Sequence, residues 1–269
     1  MSRRNSHWIY SELLHFIHFV CLVLYSSQHL WAVPVIENHG RFEIDWTNLK
    51  IRSHGQAKQK TSDPTAPYDA AQRAALDEGL TYLGRVLPEY LAKKNIGSKT
   101  EPNTFEASGY ALARKTYIYA TEIYQNRHVK LLLESSLTNA FPVIANNKEG
   151  FFQNKLETPQ TIENTSVIFE LNKAVQPRPF YEITNDEGKI VFSKAMIYGA
   201  AFSRNLMGRW HKKPVGENFH IFVGKRPLRI PITVASHGNL SVSTKEWSSL
   251  APKVEALLRK SQIALLLPR

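Results

Sequence analysis

Residues 42–52 read Phe-Glu-Ile-Asp-Trp-Thr-Asn-Leu-Lys-Ile-Arg, and this stretch decides the fold class. Phe42, Ile44 and Trp46 alternate with Glu43 and Asp45. Beyond Thr47-Asn48, Leu49 and Ile51 alternate with Lys50 and Arg52. A period of two sends successive side chains to opposite faces of a strand. Two such runs around a two-residue turn predict a β-hairpin. In that register Asp45 faces Lys50 and Glu43 faces Arg52, in pairs worth roughly 0.2–1 kcal/mol each. The four charges are thereby assigned a structural role.

The polar run from Gln56 to Pro67 predicts a loop. From Tyr68 to Leu87 the period changes. Leu76, Leu80, Leu83 and Leu87 recur at helical spacing, and Ala70, Ala71, Ala74 and Ala75 widen the apolar side, as in an amphipathic helix lying on a sheet. Pro88 is expected to end or kink that helix. Tyr117, Tyr119, Ile123 and Tyr124, then Val129, Leu131 and Leu133, mark two strands around a turn at Gln125-Asn126. Residues 40–140 thus form a β-α-β-β unit.

Pro142, Asn146, Asn147, Gly150 and Pro159 mark residues 141–160 as a linker or long loop. A second unit spans 161–269. Val167, Phe169 and Leu171 predict a strand. Tyr181–Ile183 and Ile190–Phe192 flank a turn at 185–188. Leu228 to Val234 alternate, His237-Gly238-Asn239 turns the chain, and Leu240–Val242 returns. Ser243 or Thr244 is placed to cap a helix to about Lys260, interrupted near Pro252. Ile263–Leu267 reads as a buried final strand. The expected class is α+β: two small mixed units, each with antiparallel hairpins and a packed helix.

The first 32 residues follow another logic. Arg3 and Arg4 precede an apolar run from Leu13 to Tyr25, and a polar stretch leads to Leu30-Trp31-Ala32. This is the order of a secretory signal peptide, with cleavage expected after Ala32. The apolar run falls short of the roughly 20 residues that span a bilayer; the alternative is an uncleaved anchor. The single cysteine, Cys21, lies within the run, so the mature chain is expected to carry neither a disulfide nor a thiolate metal site. The whole chain has a net charge of +11, and removing residues 1–32 deletes two arginines and one glutamate, leaving +10. Such a balance favours anionic partners. An exported protein meets envelope lipid or acidic polysaccharide rather than nucleic acid.

Ile44-Asp45-Trp46, the small residues Ser53-His54-Gly55 at the expected strand end, and the Ala-rich helix resemble the LPP-twenty lipoproteins and the N-terminal domain of flagellar assembly protein T. Pro177 and Pro179, the acidic Gly turn Asp186-Glu187-Gly188-Lys189 and the terminal helix-strand resemble the downstream region of secreted relatives from Gram-negative bacteria. The resemblance implies an envelope location, near the outer membrane or the flagellar basal body, and no catalytic residues. Phe19-Val20 before Cys21 and Leu22-Val23-Leu24 after it depart from a lipobox.

No G-x-S-x-G, S-x-x-K, H-E-x-x-H, phosphate-loop or dinucleotide motif occurs. His39, His54, His128, His211, His220 and His237 lack tight metal-ligand spacing, and only His211 and His220 could meet across a loop. Adjacent Asp186 and Glu187 are read as turn formers. The segment Arg204–Lys213 is the candidate binding site. There Arg204, Arg209, Lys212 and Lys213 accompany Trp210 and His211, the grouping that grips an anionic surface, with Arg226 and Arg229 as extensions; a Trp210 tucked into the core is the alternative. The expectation is a non-catalytic envelope protein with a binding, scaffolding or assembly role, no cofactor, and envelope proteins or anionic envelope surfaces as partners. Peripheral membrane association is part of that expectation. A periplasmic hydrolase acting on glycan or lipid is the alternative.

Overall fold

A computed structural model describes residues 33–60, 68–94, 112–141, 152 and 164–269. The leader with Cys21, residues 61–67 of the expected loop and nearly all of the expected linker lie outside the described residues. The chain is α+β, built on two sheets.

The first sheet contains β1 (Ile36–Asn38), β2 (Phe42–Asp45), β3 (Lys50–Lys58), β4 (Tyr117–Ile123) and β5 (His128–Ser136), in the order β1-β2-β3-β5-β4 and antiparallel throughout. The expected hairpin forms with the expected register, Asp45 opposite Lys50 and Glu43 opposite Arg52. Its turn is longer than predicted, running from Trp46 to Leu49, with Leu49 at φ 53°. Asp45 does not pair with Lys50. Its carboxylate instead accepts the backbone N–H groups of Thr47 (3.0 Å) and Asn48 (2.9 Å) and the Asn48 amide (2.7 Å), which closes the turn. Lys50 reaches Glu134 on β5 (2.7 Å). Arg52 bridges Glu43 and Glu134 at 2.8 Å each.

Strand β3 does not end at Ser53–Gly55 but continues to Lys58, because β5 supplies partners along its whole length. β2 is shorter, and beyond it the freed Gln56 N–H donates to Glu78 (2.6 Å) on the helix above. That helix, α1 (Asp69–Lys94), passes through Pro88 instead of stopping there. Losing one backbone bond is offset by burial on both sides, since Leu87 and Leu91 are each 1% exposed. The buried line of α1 is Ala71, Ala75, Gly79, Leu83, Leu87, Leu91. Steps of four advance about 40° around a 3.6-residue helix, so the line winds as it ascends. Leu76 and Leu80 only flank it, and Ala70 and Ala74 are exposed. At the crossing a Cβ on Gly55 would stand 1.7 Å from the Ala75 carbonyl oxygen, so helix and strand meet backbone to backbone.

The second sheet has seven strands: β6 (Ser166–Leu171), β7 (Ile183–Asn185), β8 (Ile190–Phe192), β9 (Arg209–Lys212), β10 (Pro227–Val234), β11 (Leu240–Val242) and β12 (Ile263–Leu267). Their order is β8-β7-β11-β10-β6-β12-β9. β7–β8 and β10–β11 are the expected antiparallel pairs, but β10, β6, β12 and β9 run parallel. Parallel neighbours need crossovers. α2 (Gly199–Asn205), α3 (Glu217–Val223) and α4 (Thr244–Arg259) supply them, more helices than predicted. α3 covers Ile168, Ala264 and Leu266 on one face. α2 and α4 cover Val167, Phe169, Ile263 and Leu265 on the other. With both faces covered, β12 is buried at all five residues. α4 runs without interruption through Pro252. Ser243 makes no capping bond; Asp186, from the β7–β8 turn, accepts Thr244 N–H (3.1 Å) and the Thr244 hydroxyl.

The two sheets share one apolar cluster, which joins Ile44, Trp46, Leu83 and Leu87 to Phe169, Phe202, Trp210 and Leu265. Phe141 stacks edge-on against Phe180 (5.7 Å) and Phe202 (6.2 Å). The Trp46–Leu49 turn docks on β9: the Thr47 hydroxyl donates to the Trp210 carbonyl (2.6 Å), and Trp210 N–H donates to the Trp46 carbonyl (3.3 Å). No described helix is long and apolar enough to cross a membrane.

Candidate functional site

The expected basic patch at 204–213 is a helix end followed by a strand, and this splits it. Arg204 closes α2, its Nε donating to the Ala200 carbonyl (3.1 Å). Along β9 the pleat sends Arg209 and His211 to the α3 face and Trp210 and Lys212 to the other. Arg209 is half-buried over the Phe222 ring (4.5 Å). His211 is 6% exposed and lies against Phe219 (4.9 Å) and Phe222 (6.0 Å). Lys212 is exposed, and Lys213 stands 4.0 Å from Glu170, which also pairs with Arg229. Trp210 is 1% exposed, against Tyr181 (5.9 Å). The five residues therefore do not form one surface, and the aromatic anchor belongs to the core.

Trp210 nevertheless leads to a site that sequence reasoning missed. Its Nε1–H donates to the carbonyl of Arg178 (3.3 Å) and so fixes the loop after β6. This loop, 172–178, and the loop after β10, 235–239, enclose a cavity of about 650 Å³ at the carboxyl ends of two adjacent parallel strands. Open α/β sheets bind ligands at such ends, where flanking connections run over opposite faces. Asn172 ties the strand ends together, its side-chain oxygen accepting Val234 N–H (2.8 Å). Arg178 clamps the two loops through Nη2 to the Gly238 carbonyl (2.9 Å). The second loop needs positive φ at His237 (62°) and Gly238 (76°), and a Cβ on Gly238 would stand 3.1 Å from Val175.

The lining is cationic. Lys173, Arg178 and His237 face the cavity with Gln176 and Ser236, and no Asp or Glu is among the described residues that line it. Arg178 Nε is buried without a partner, and burial lowers the guanidinium's pKa. An oxyanion would relieve both costs, since a carboxylate or phosphate accepts two parallel N–H bonds from this fork. The only sequence signal was indirect: Lys173, Arg178 and His237 each follow a predicted strand or occupy a predicted turn.

His211 and His220, which could have met across a loop, are each placed against Phe219, at 4.9 Å and 5.6 Å. Among the described residues no three His, Cys, Asp or Glu side chains gather in a metal-binding group. Asn185 organises the acidic turn by accepting Glu187 N–H (3.2 Å) and Lys189 N–H (2.8 Å), and Asp186 is spent on capping α4. No protein-family model and no curated protein sequence matches the chain.

Proposed function

We propose that this is an exported, non-catalytic envelope protein that recognises an anionic group on an envelope component through the cavity at the ends of β6 and β10. The observation that carries the reading is the cationic lining by Lys173 and Arg178 beside His237, with an Arg178 Nε that has no partner. The leader-like first 32 residues and the basic remainder support an envelope location, and the resemblance to LPP-twenty and flagellar assembly T proteins supports a binding or assembly role. In this reading the first sheet is a rigid platform, and the Arg178 loop, held by Trp210, is the recognition element.

Two measurements test it. Mass spectrometry of the protein from the periplasmic fraction is expected to find an N-terminus at Val33; an intact chain among cytosolic proteins would overturn export. Sedimentation with isolated envelope membranes is expected to weaken with rising salt and to fall about tenfold in Lys173→Glu, an exposed site whose reversal adds like-charge repulsion. Retention unchanged by that substitution would remove the cavity from the proposal.

A further inference from the structure

The seam where the first sheet docks on β9 contains a second, smaller cavity of about 200 Å³. Pro34, Asn48, His211, Lys212, Asn218 and Phe219 line it. It lies at the carboxyl end of β9, which runs parallel to β12, β6 and β10, so it faces the same end of the strands as the larger cavity.

His211 is the unusual group here. It is 94% buried, since only 6% of it is exposed, and its Nε2 has no hydrogen-bond partner. Its nearest companions on the α3 side are aromatic rings and the Arg209 guanidinium. Burial, reinforced by Arg209, pushes its pKa down to about 4, so at neutral pH the ring is an uncharged donor and acceptor. A buried polar group left unmatched costs about 1–3 kcal/mol, and a core needing only volume here would be served by an apolar ring. Lys212 brings the positive charge, Asn218 a carboxamide, and Phe219, Val215 and Pro34 an apolar wall. The volume lies below the roughly 300–1,000 Å³ of sites for drug-sized molecules, which restricts the occupant to a small one.

We propose that this seam binds a small organic monocarboxylate, its charge at Lys212, its polar atoms on His211 and Asn218, and its apolar body against Phe219 and Val215. The site requires both sheets, because Asn48 and Pro34 come from the first and the remaining groups from the second. It uses neither Lys173 nor Arg178, so it stands apart from the proposed function.

The test is a titration of the full chain with hexanoate, read by long-range ¹H–¹⁵N NMR of the imidazoles, with hexanamide as the uncharged control. The expected result is a saturable shift of the His211 ring. Hexanamide should bind about tenfold more weakly, and Lys212→Gln should cost hexanoate about tenfold, the loss of one charge-assisted contact. Lys212 is exposed, so this variant keeps the fold. Lys173→Glu, in the other cavity, should leave the saturable His211 shift unchanged. A His211 ring that does not shift, or equal affinity in the wild type and Lys212→Gln, would overturn the proposal.

Discussion

Glu134 shows how a single residue can hold a sheet face together. It is 5% exposed, and burial alone would raise its pKa. Hydrogen bonds from Lys50, Tyr117 and Arg52 outweigh that and bring the carboxyl down to about 2. Arg52's own bonds to Glu134 and Glu43 raise it above its ordinary value. A carboxylate depressed in the folded state stabilises above its unfolded pKa, about 4.5, and this contribution fades as pH falls toward 2. His211 is also depressed, from 6.5 to about 4, so its contribution is complete above pH 6.5 and fades between 6.5 and 4. Stability should therefore fall with acid in two separable stages, each on the order of 2–3 kcal/mol. Urea unfolding across pH should show His211→Phe flattening the upper stage and Glu134→Gln the lower. Curves that keep both slopes in both variants would refute these assignments. At neutral pH, Glu134→Ala should cost about 2 kcal/mol, because Arg52 and Lys50 lose their shared partner.

At the level of elements, the decisive contact is the crossing of α1 over β3. Gly55 lies under the Ala75 carbonyl, and a Cβ on Gly79 would stand 2.5 Å from Leu133 Cδ1. Gly55→Ala cannot be absorbed by a side-chain rotation, since the obstacle is backbone. It is expected to lower stability by about 3 kcal/mol in chemical denaturation, against about 1 kcal/mol or less for Ala74→Ser on the exposed side of the same helix. Equal losses at the two positions would mean that the crossing is looser than it stands. A second element-level contact joins the β7–β8 turn to α4 through Asp186. In urea unfolding Asp186→Ala should lower the midpoint, as loss of an N-cap does, although the capping group lies 58 residues from the helix start. Thr244→Ala keeps the backbone bond to Asp186 and should cost less.

For the whole molecule, the shared apolar cluster makes a cooperative prediction. Trp46, Phe141, Phe202 and Trp210 are buried among residues from both sheets. Calorimetry should give one transition, with equal calorimetric and van't Hoff enthalpies; two resolved transitions would contradict a common core. Trp210→Phe should leave the transition single but remove the bond to the Arg178 carbonyl, and so weaken binding at the strand-end cavity about tenfold more than it weakens hexanoate at the seam.

What the amino-acid sequence determined by itself is local and periodic. The alternation from Phe42 to Arg52 set the hairpin and its register, because a one-residue slip would send Ile44 and Ile51 to the wrong face. The turn at 185–188, the alternation from Leu228 to Val234 and the apolar run 263–267 were likewise legible, since turn residues and a period of two act over a few residues. The Tyr68–Leu87 periodicity located α1 and the buried Ala71, Ala75, Leu83 and Leu87, but not the displacement of Leu76 and Leu80 to its flanks, which depends on how close the sheet lies and therefore on Gly55 and Gly79. Parallel pairing of β6, β9, β10 and β12 was not legible, because a buried run carries no direction. Charge clustering in sequence suggested a patch at 204–213, yet the pleat of β9 divided it between two faces. Lys173 and Arg178, from the loop after β6, converge with His237, from the loop after β10 and about 60 residues further along the chain. Only tertiary structure could assemble them, because strand order, not sequence distance, decides which loops share an edge of the sheet.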